Sequence, residues 1–361
     1  MKHVLKNTLW LLVVFALVVV VNYWADPANL TQNEFFFGRM LSLMQEGYNI
    51  EHVADFKDRI FQQKAAEVID RPETLIFGSS RVQQIDTEVC GTTVWNAGVS
   101  GATTQDICGL YQVFRENGKV GDRVIIGIDL WTFDGAYTDA RASLYLEAPL
   151  ARFMTEAVGI PTAAKRFSFP TLSYLSELTS LSYFQSSFDY LMNGDHTVRM
   201  RDLVTSTEKD YSLYGMMRFD GSYVYPSNYV LSNQNEVEKR VFSAFDAVVA
   251  PTVEWKGIDP QLRTMFEALC GSIVSNGSDL VLLISPIHPI AFYEIRQRGG
   301  EAALLDVEKY LHEYADSLGA TVLGSFNPEA CACDFFDFMD ALHINYQATL
   351  RLWQHSLALP F

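Results

Sequence analysis

Two adjacent serines, Ser79 and Ser80, follow the apolar run Thr74–Phe77 in the stretch TLIFGSSRVQQI. Near the other end of the 361-residue chain, Asp340 and His343 stand in DFFDFMDALHIN. A serine hydroxyl becomes a nucleophile when a neighbouring base takes its proton and an acid orients that base. The Asp-x-x-His spacing can put carboxylate and imidazole on one turn, so that Asp340 holds the tautomer of His343 while His343 faces the serine. A third segment, VWNAGVSGATTQD, carries Asn96-Ala97-Gly98-Val99-Ser100-Gly101 and a helix start at Thr103/Thr104. Glycines there let the backbone approach a ligand closely, and free N–H groups at a helix start can stabilise an oxyanion. The chemistry these residues suit is acyl transfer through a covalent serine ester. The competing readings are a polar turn for Ser80, a packing histidine for His343 and a helix cap for Asp340.

Short apolar runs at Thr74–Phe77, Val94–Ala97, Val124–Leu130, Leu280–Ser285 and Thr321–Leu323 have the texture of buried parallel strands. Helical patterns lie between several of them: TTQDICGLYQVFREN, PQLRTMFEALCGSIVSN and GEAALLDVEKYLHEYADSLG, the last stopping at Gly319. The segment INYQATLRLWQHSLAL after His343 reads as a closing helix. This alternation predicts an α/β fold with a doubly wound, mainly parallel sheet, whose ligands bind beyond the carboxyl ends of the strands. Residues 26–70 read as a stalk and opening helices, and residues 71–361 as the main domain. Within that domain residues 132–256 form a large, mostly helical, aromatic-rich insertion, expected to be a lid or substrate subdomain or else a packed appendage.

The blocks together resemble the SGNH (GDSL-like) hydrolase and acyltransferase superfamily, over about 74–131 and 279–350. Gly78-Ser79-Ser80 is similar to its nucleophile block, Asn96–Thr103 to its second block and Asp340-Ala341-Leu342-His343 to its last. The resemblance implies a flavodoxin-like three-layer fold. It makes Ser80 the nucleophile, His343 the base, Asp340 its orienting acid, and Ser79 the stand-in for the family's aspartate. The implied oxyanion donors are the backbone N–H groups of Ser80 and Gly101, with Asn96 a further candidate. The third block departs from the family: Gly127-Ile128-Asp129-Leu130 puts Asp129 where an asparagine donor is expected, and an ionised carboxylate cannot donate. A GSS block behind an N-terminal anchor resembles the D-alanyl teichoic-acid transfer and polysaccharide O-acetylation proteins. That resemblance implies an acylated envelope polysaccharide or another ester as substrate, and a membrane-bound O-acyltransferase as partner. The rival expectation is a catalytically inactive binding or assembly factor that keeps the fold.

Lys2, His3 and Lys6 precede the apolar run Thr8–Trp24. Its length, basic start and flanking Tyr23 and Trp24 suit a transmembrane signal anchor at residues 1–25, with a cleaved signal peptide as the competing reading. The anchor reading places the protein as a single-pass protein of the bacterial inner membrane, its catalytic domain on the periplasmic side. A net charge of −16 excludes nucleic acid as the expected partner. The five cysteines, Cys90, Cys108, Cys270, Cys331 and Cys333, have neither the spacing of a disulfide scaffold nor that of a structural zinc site. No metal and no cofactor is expected. Arg81, Asp129, Trp131 and His288 complete the candidates as substrate-contacting residues, Arg81 having ion pairing with an acidic neighbour as its alternative.

Overall fold

The computed structural model describes residues 2–25, 33–51, 57–137, 139–163, 178–193, 203–207 and 213–358. Its strands in chain order are β1 (Asn49–Glu51), β2 (Thr74–Phe77), β3 (Val94–Asn96), β4 (Arg123–Ile128), β5 (Val204–Ser206), β6 (Met216–Met217), β7 (Tyr223–Val224), β8 (Asp279–Ile284) and β9 (Thr321–Gly324). Five of them form a parallel sheet in the order β3-β2-β4-β8-β9. Side chains alternate across it. Leu75, Phe77, Val124, Ile126, Leu280 and Leu282 enter the larger core, while Ile76, Ile125, Val281 and Leu283 face the smaller one. Burial on both faces is why these strands read as unbroken apolar runs rather than alternating ones.

Helices Thr104–Glu116, Pro260–Ser275 and Glu301–Leu318 stand where the sequence pattern put them, and the last is stopped by left-handed Gly319. The closing helix Tyr346–Ala358 covers the smaller core through Ala348, Leu352 and Trp353. In this strand order the chain reverses direction across the sheet between β2 and β4. In sheets of this kind the switch point at the strands' carboxyl ends is where ligands bind. The Ser80 turn leaves β2 and the Asp129 turn leaves β4, so both candidate blocks lie at that end of the sheet.

The insertion departs from the mostly helical expectation. Beside helices Leu181–Asn193, Gln234–Ser243 and Phe245–Val253 it contributes β5, β6 and β7, which join β1 of the stalk in a small antiparallel sheet, β5-β1-β6-β7. Strands of two or three residues carry too little alternation to be read from sequence. Residues 164–177, 194–202 and 208–212, within the aromatic stretches of the insertion, lie outside the described residues, as do 26–32 and 52–56 of the stalk.

Lys2–Ala25 is one continuous helix with side chains described at Thr8, Trp10 and Leu12–Tyr23. Leu12, Val13, Val14, Phe15, Leu17 and Val20 are exposed on it, and the buried Asn22 side chain donates to the carbonyls of Leu178 (2.9 Å) and Ser180 (3.1 Å). Among the described residues, no helix is long and apolar enough to cross a membrane.

Candidate active site

The candidate nucleophile turn is built by two glycines. Gly78 has a φ of +151°, and a Cβ there would stand 3.1 Å from Gly127 Cα; one on Gly127 would stand 2.4 Å from Val82 Cγ1. Only bare backbone lets β2 and β4 approach so closely while the chain turns into the 3-10 helix Ser80–Val82. At the top of that turn the Ser80 hydroxyl lies 2.8 Å from His343 Nε2, and His343 Nδ1 lies 2.8 Å from Asp340 Oδ2. With Nδ1–H donating to the carboxylate, Nε2 is free to accept the serine proton. Asp340 Oδ1 also caps its own loop, accepting from the N–H groups of Leu342 (2.7 Å) and His343 (2.8 Å). Burial opposes ionisation of Asp340, yet the hydrogen bond and charge of His343, the Tyr229 hydroxyl and the Leu342 N–H outweigh it. The carboxyl is therefore held well below the usual carboxylate range.

Ser79 points the opposite way. It is fully buried, its hydroxyl donates to Asp129 Oδ1 (3.0 Å), and its oxygen accepts from the Arg81 N–H (3.2 Å). Arg81 is buried with it. Its guanidinium reaches Asp129 Oδ1 (3.4 Å) and donates to the carbonyls of Ser285, Pro286 (2.9 Å) and Leu342 (3.2 Å). Burial pushes the Asp129 carboxyl up and the Arg81 guanidinium down, and their mutual attraction works against both shifts. Asp129 and Arg81 thus form a bolt beneath the nucleophile, tying β2, β4, β8 and the triad loop.

The second block extends the β2/β3 pairing past the strand ends, Ala97 N–H donating to Ile76 O (2.8 Å) and Val99 N–H to Gly78 O (2.9 Å). Two residues beyond Val99 the chain turns at Gly101, which has a φ of +58° and lies close to the side chains of Arg141 and Tyr137. Asn96 is fully occupied: its amide donates to the carbonyls of Val82 (2.8 Å) and Ile85 (2.9 Å), and its Oδ1 accepts from Gly98 N–H (2.9 Å). Its side chain sets the shape of the nucleophile turn and has no donor left for an oxyanion. Trp131 donates to the Ala102 carbonyl (2.8 Å), stacks on Tyr137, and lines an apolar pocket with Leu130, Val248, Trp255 and Leu304.

His288 is buried beneath the triad loop. Its backbone N–H donates to Ala341 O (3.0 Å), its Nδ1 accepts from Ile290 N–H (3.1 Å), and its ring packs against the edges of Phe335 and Phe338. Burial lowers its pKa from 6.5 to about 4. Cys331 and Cys333 are buried thiols, raised by burial to about 11 and about 12. Among the described residues, no group of three or more His, Cys, Asp or Glu side chains is arranged to hold a metal ion.

Two further features carry no signal in the spacing of the sequence. Buried Arg59 of the stalk helix Asp58–Val68 pairs with Asp106 (2.6 and 2.9 Å) at the start of the helix that follows the second block, and reaches Ser100 O (3.2 Å). From the insertion, the Tyr225 hydroxyl donates to Ser80 O (3.1 Å), and Tyr229 reaches Asp340. The chain matches no protein-family model, and no curated protein is significantly similar to it in sequence.

Proposed function

We propose that this chain is a serine esterase or O-acyltransferase of the SGNH type, anchored in the bacterial inner membrane and acting outside the cytoplasm on acylated envelope polysaccharide or related esters. The observation that carries the reading is the unbroken line Ser80 Oγ–His343 Nε2 (2.8 Å) and His343 Nδ1–Asp340 Oδ2 (2.8 Å), drawn from opposite ends of the chain. Ser80 attacks the ester carbonyl as His343 takes its proton. The backbone N–H groups of Ser80 and Gly101 receive the oxyanion, and His343 returns the proton to the leaving alcohol. The acyl group, now on Ser80, then passes to water or to an acceptor hydroxyl activated by the same imidazole. Asp340 stays ionised and holds His343 in the tautomer both steps need.

A continuous N-terminal helix with an exposed apolar surface supports the anchor. An envelope substrate, and a membrane-bound acyltransferase that loads it, follow from that location and from the family resemblance. One observation favours the second reading, an inactive binding or assembly factor: Asp129 is locked to Arg81 and supplies no third oxyanion donor. A fluorophosphonate probe separates the two. Covalent labelling of the folded wild type that is lost in Ser80→Ala is expected, and a folded wild type that does not label makes the inactive factor the better account.

A further inference from the structure

Three of the bonds that Asp340 accepts come from its own loop; the fourth crosses from the insertion. The Tyr229 hydroxyl donates to Oδ2, the same oxygen that accepts from His343. Tyr229 sits on the short helix Ser227–Val230, and its ring is clamped in place. The Arg240 guanidinium lies over it at 4.2 Å, and Tyr225 stacks on it at 5.7 Å. Arg240, on the helix Gln234–Ser243, also donates to the carbonyl of Met339, which precedes Asp340, at 3.0 Å, and to Ser232 Oγ at 2.6 Å. Tyr225 meets the His343 ring edge-on at 5.6 Å while donating to the Ser80 carbonyl. One stretch of the insertion therefore touches the Ser80 backbone, the His343 ring and the Asp340 carboxylate.

The loop N–H groups of Leu342 and His343 hold Oδ1, whereas Oδ2 meets only His343 from within the loop. The Tyr229 phenol, itself held by an arginine, gives Oδ2 a second donor and shares its charge. Burial and the Asp340 charge both push the Tyr229 hydroxyl up, so it remains a donor across the physiological range. From these contacts we infer that Tyr229 is a positioning residue of the triad. With its clamp, Arg240, it makes the alignment of Ser80, His343 and Asp340 depend on the insertion being seated on the triad loop. The inference rests on the serine-esterase reading.

The test compares full-length wild type, Tyr229→Phe and Arg240→Gln in detergent. Hydrolysis of p-nitrophenyl acetate is measured across pH, with fluorophosphonate labelling and thermal melts alongside. Tyr229→Phe keeps the ring and removes one hydrogen bond to a charged group, so kcat should fall about ten- to a hundred-fold. KM should stay within about twofold, because the bond acts on the base and not on substrate. Arg240→Gln should give a smaller fall in kcat in the same sense.

A Tyr229→Phe protein that melts like wild type and keeps its kcat overturns the inference, as does a loss confined to KM. Should Tyr229→Phe fail to fold, an unchanged kcat in Arg240→Gln overturns it instead. A folded wild type that neither labels nor hydrolyses removes the enzymatic reading itself, and is distinct from the case where wild type and variants are equally active.

Discussion

Ser79 and Ser80 are chemically identical neighbours separated by the direction in which the turn points them. Ser80 meets His343, and Ser79 is spent on the buried Asp129–Arg81 pair. His288 shows the same division between a reactive residue type and a structural post. Between Phe335 and Phe338, burial lowers its pKa to about 4 from the ordinary 6.5. Because the folded value is depressed, this site binds more protons in the unfolded chain between those two pH values, and its contribution to stability rises with pH across that window. His288→Phe should flatten this part of the curve of unfolding free energy against pH, measured by urea melts from pH about 4 to about 7. Parallel curves for wild type and variant would mean that His288 is not what the acid sensitivity reports.

At the scale of elements, the site is assembled from ends and not from middles. The candidate nucleophile leaves the end of β2, the buried Asp129 beneath it leaves β4, and the Asp340–His343 loop precedes the closing helix Tyr346–Ala358. The helix Thr104–Glu116 begins with a capping box in which Thr103 and Asp106 satisfy each other's backbone N–H groups. Asp106 carries a second duty, since Arg59 grips both its oxygens with almost no exposure on either side chain. Replacing one partner of a buried pair leaves the other charge uncompensated. Arg59→Met should therefore cost about 3–5 kcal/mol of stability, read as a lower urea midpoint. A loss below about 1 kcal/mol, the range of an exposed pair, would show that the stalk helix does not brace the second block.

For the whole molecule, stalk and insertion are not separable attachments. They share the β5-β1-β6-β7 sheet, and the insertion's backbone is bonded to both early candidate blocks, Tyr223 N–H to Gln83 O (2.7 Å) and Asn96 N–H to Asp220 O (2.8 Å). Asn22 of the N-terminal helix is likewise held by carbonyls of the insertion. If that helix anchors the protein, the insertion sits at the membrane side of the main domain. Full-length protein should then sediment with membranes, resist carbonate extraction and partition into the detergent phase of a Triton X-114 separation. Release by carbonate or salt alone would count against the anchor and leave the triad untouched.

The parallel strands were legible because burial on both faces writes each as a short apolar run. Ser80 and the Asp340–His343 pair could be named as candidates because each block is local to one turn or one loop; that the two blocks meet is decided by the fold. Gly78 belongs with them, since the close approach of Gly127 backbone demands that residue type. What no local pattern could show is which groups meet across long separations. Asp129 reads as a missing donor until folding places Arg81 against it, and Asn96 reads as a candidate donor until its amide is seen spent on Val82 and Ile85. Tyr225, Tyr229 and Arg240 look like ordinary insertion residues. Only tertiary structure lays them on the triad, because a hydrogen bond is set by distance in space, and a separation of 111 residues along the chain between Tyr229 and Asp340 carries no trace of it.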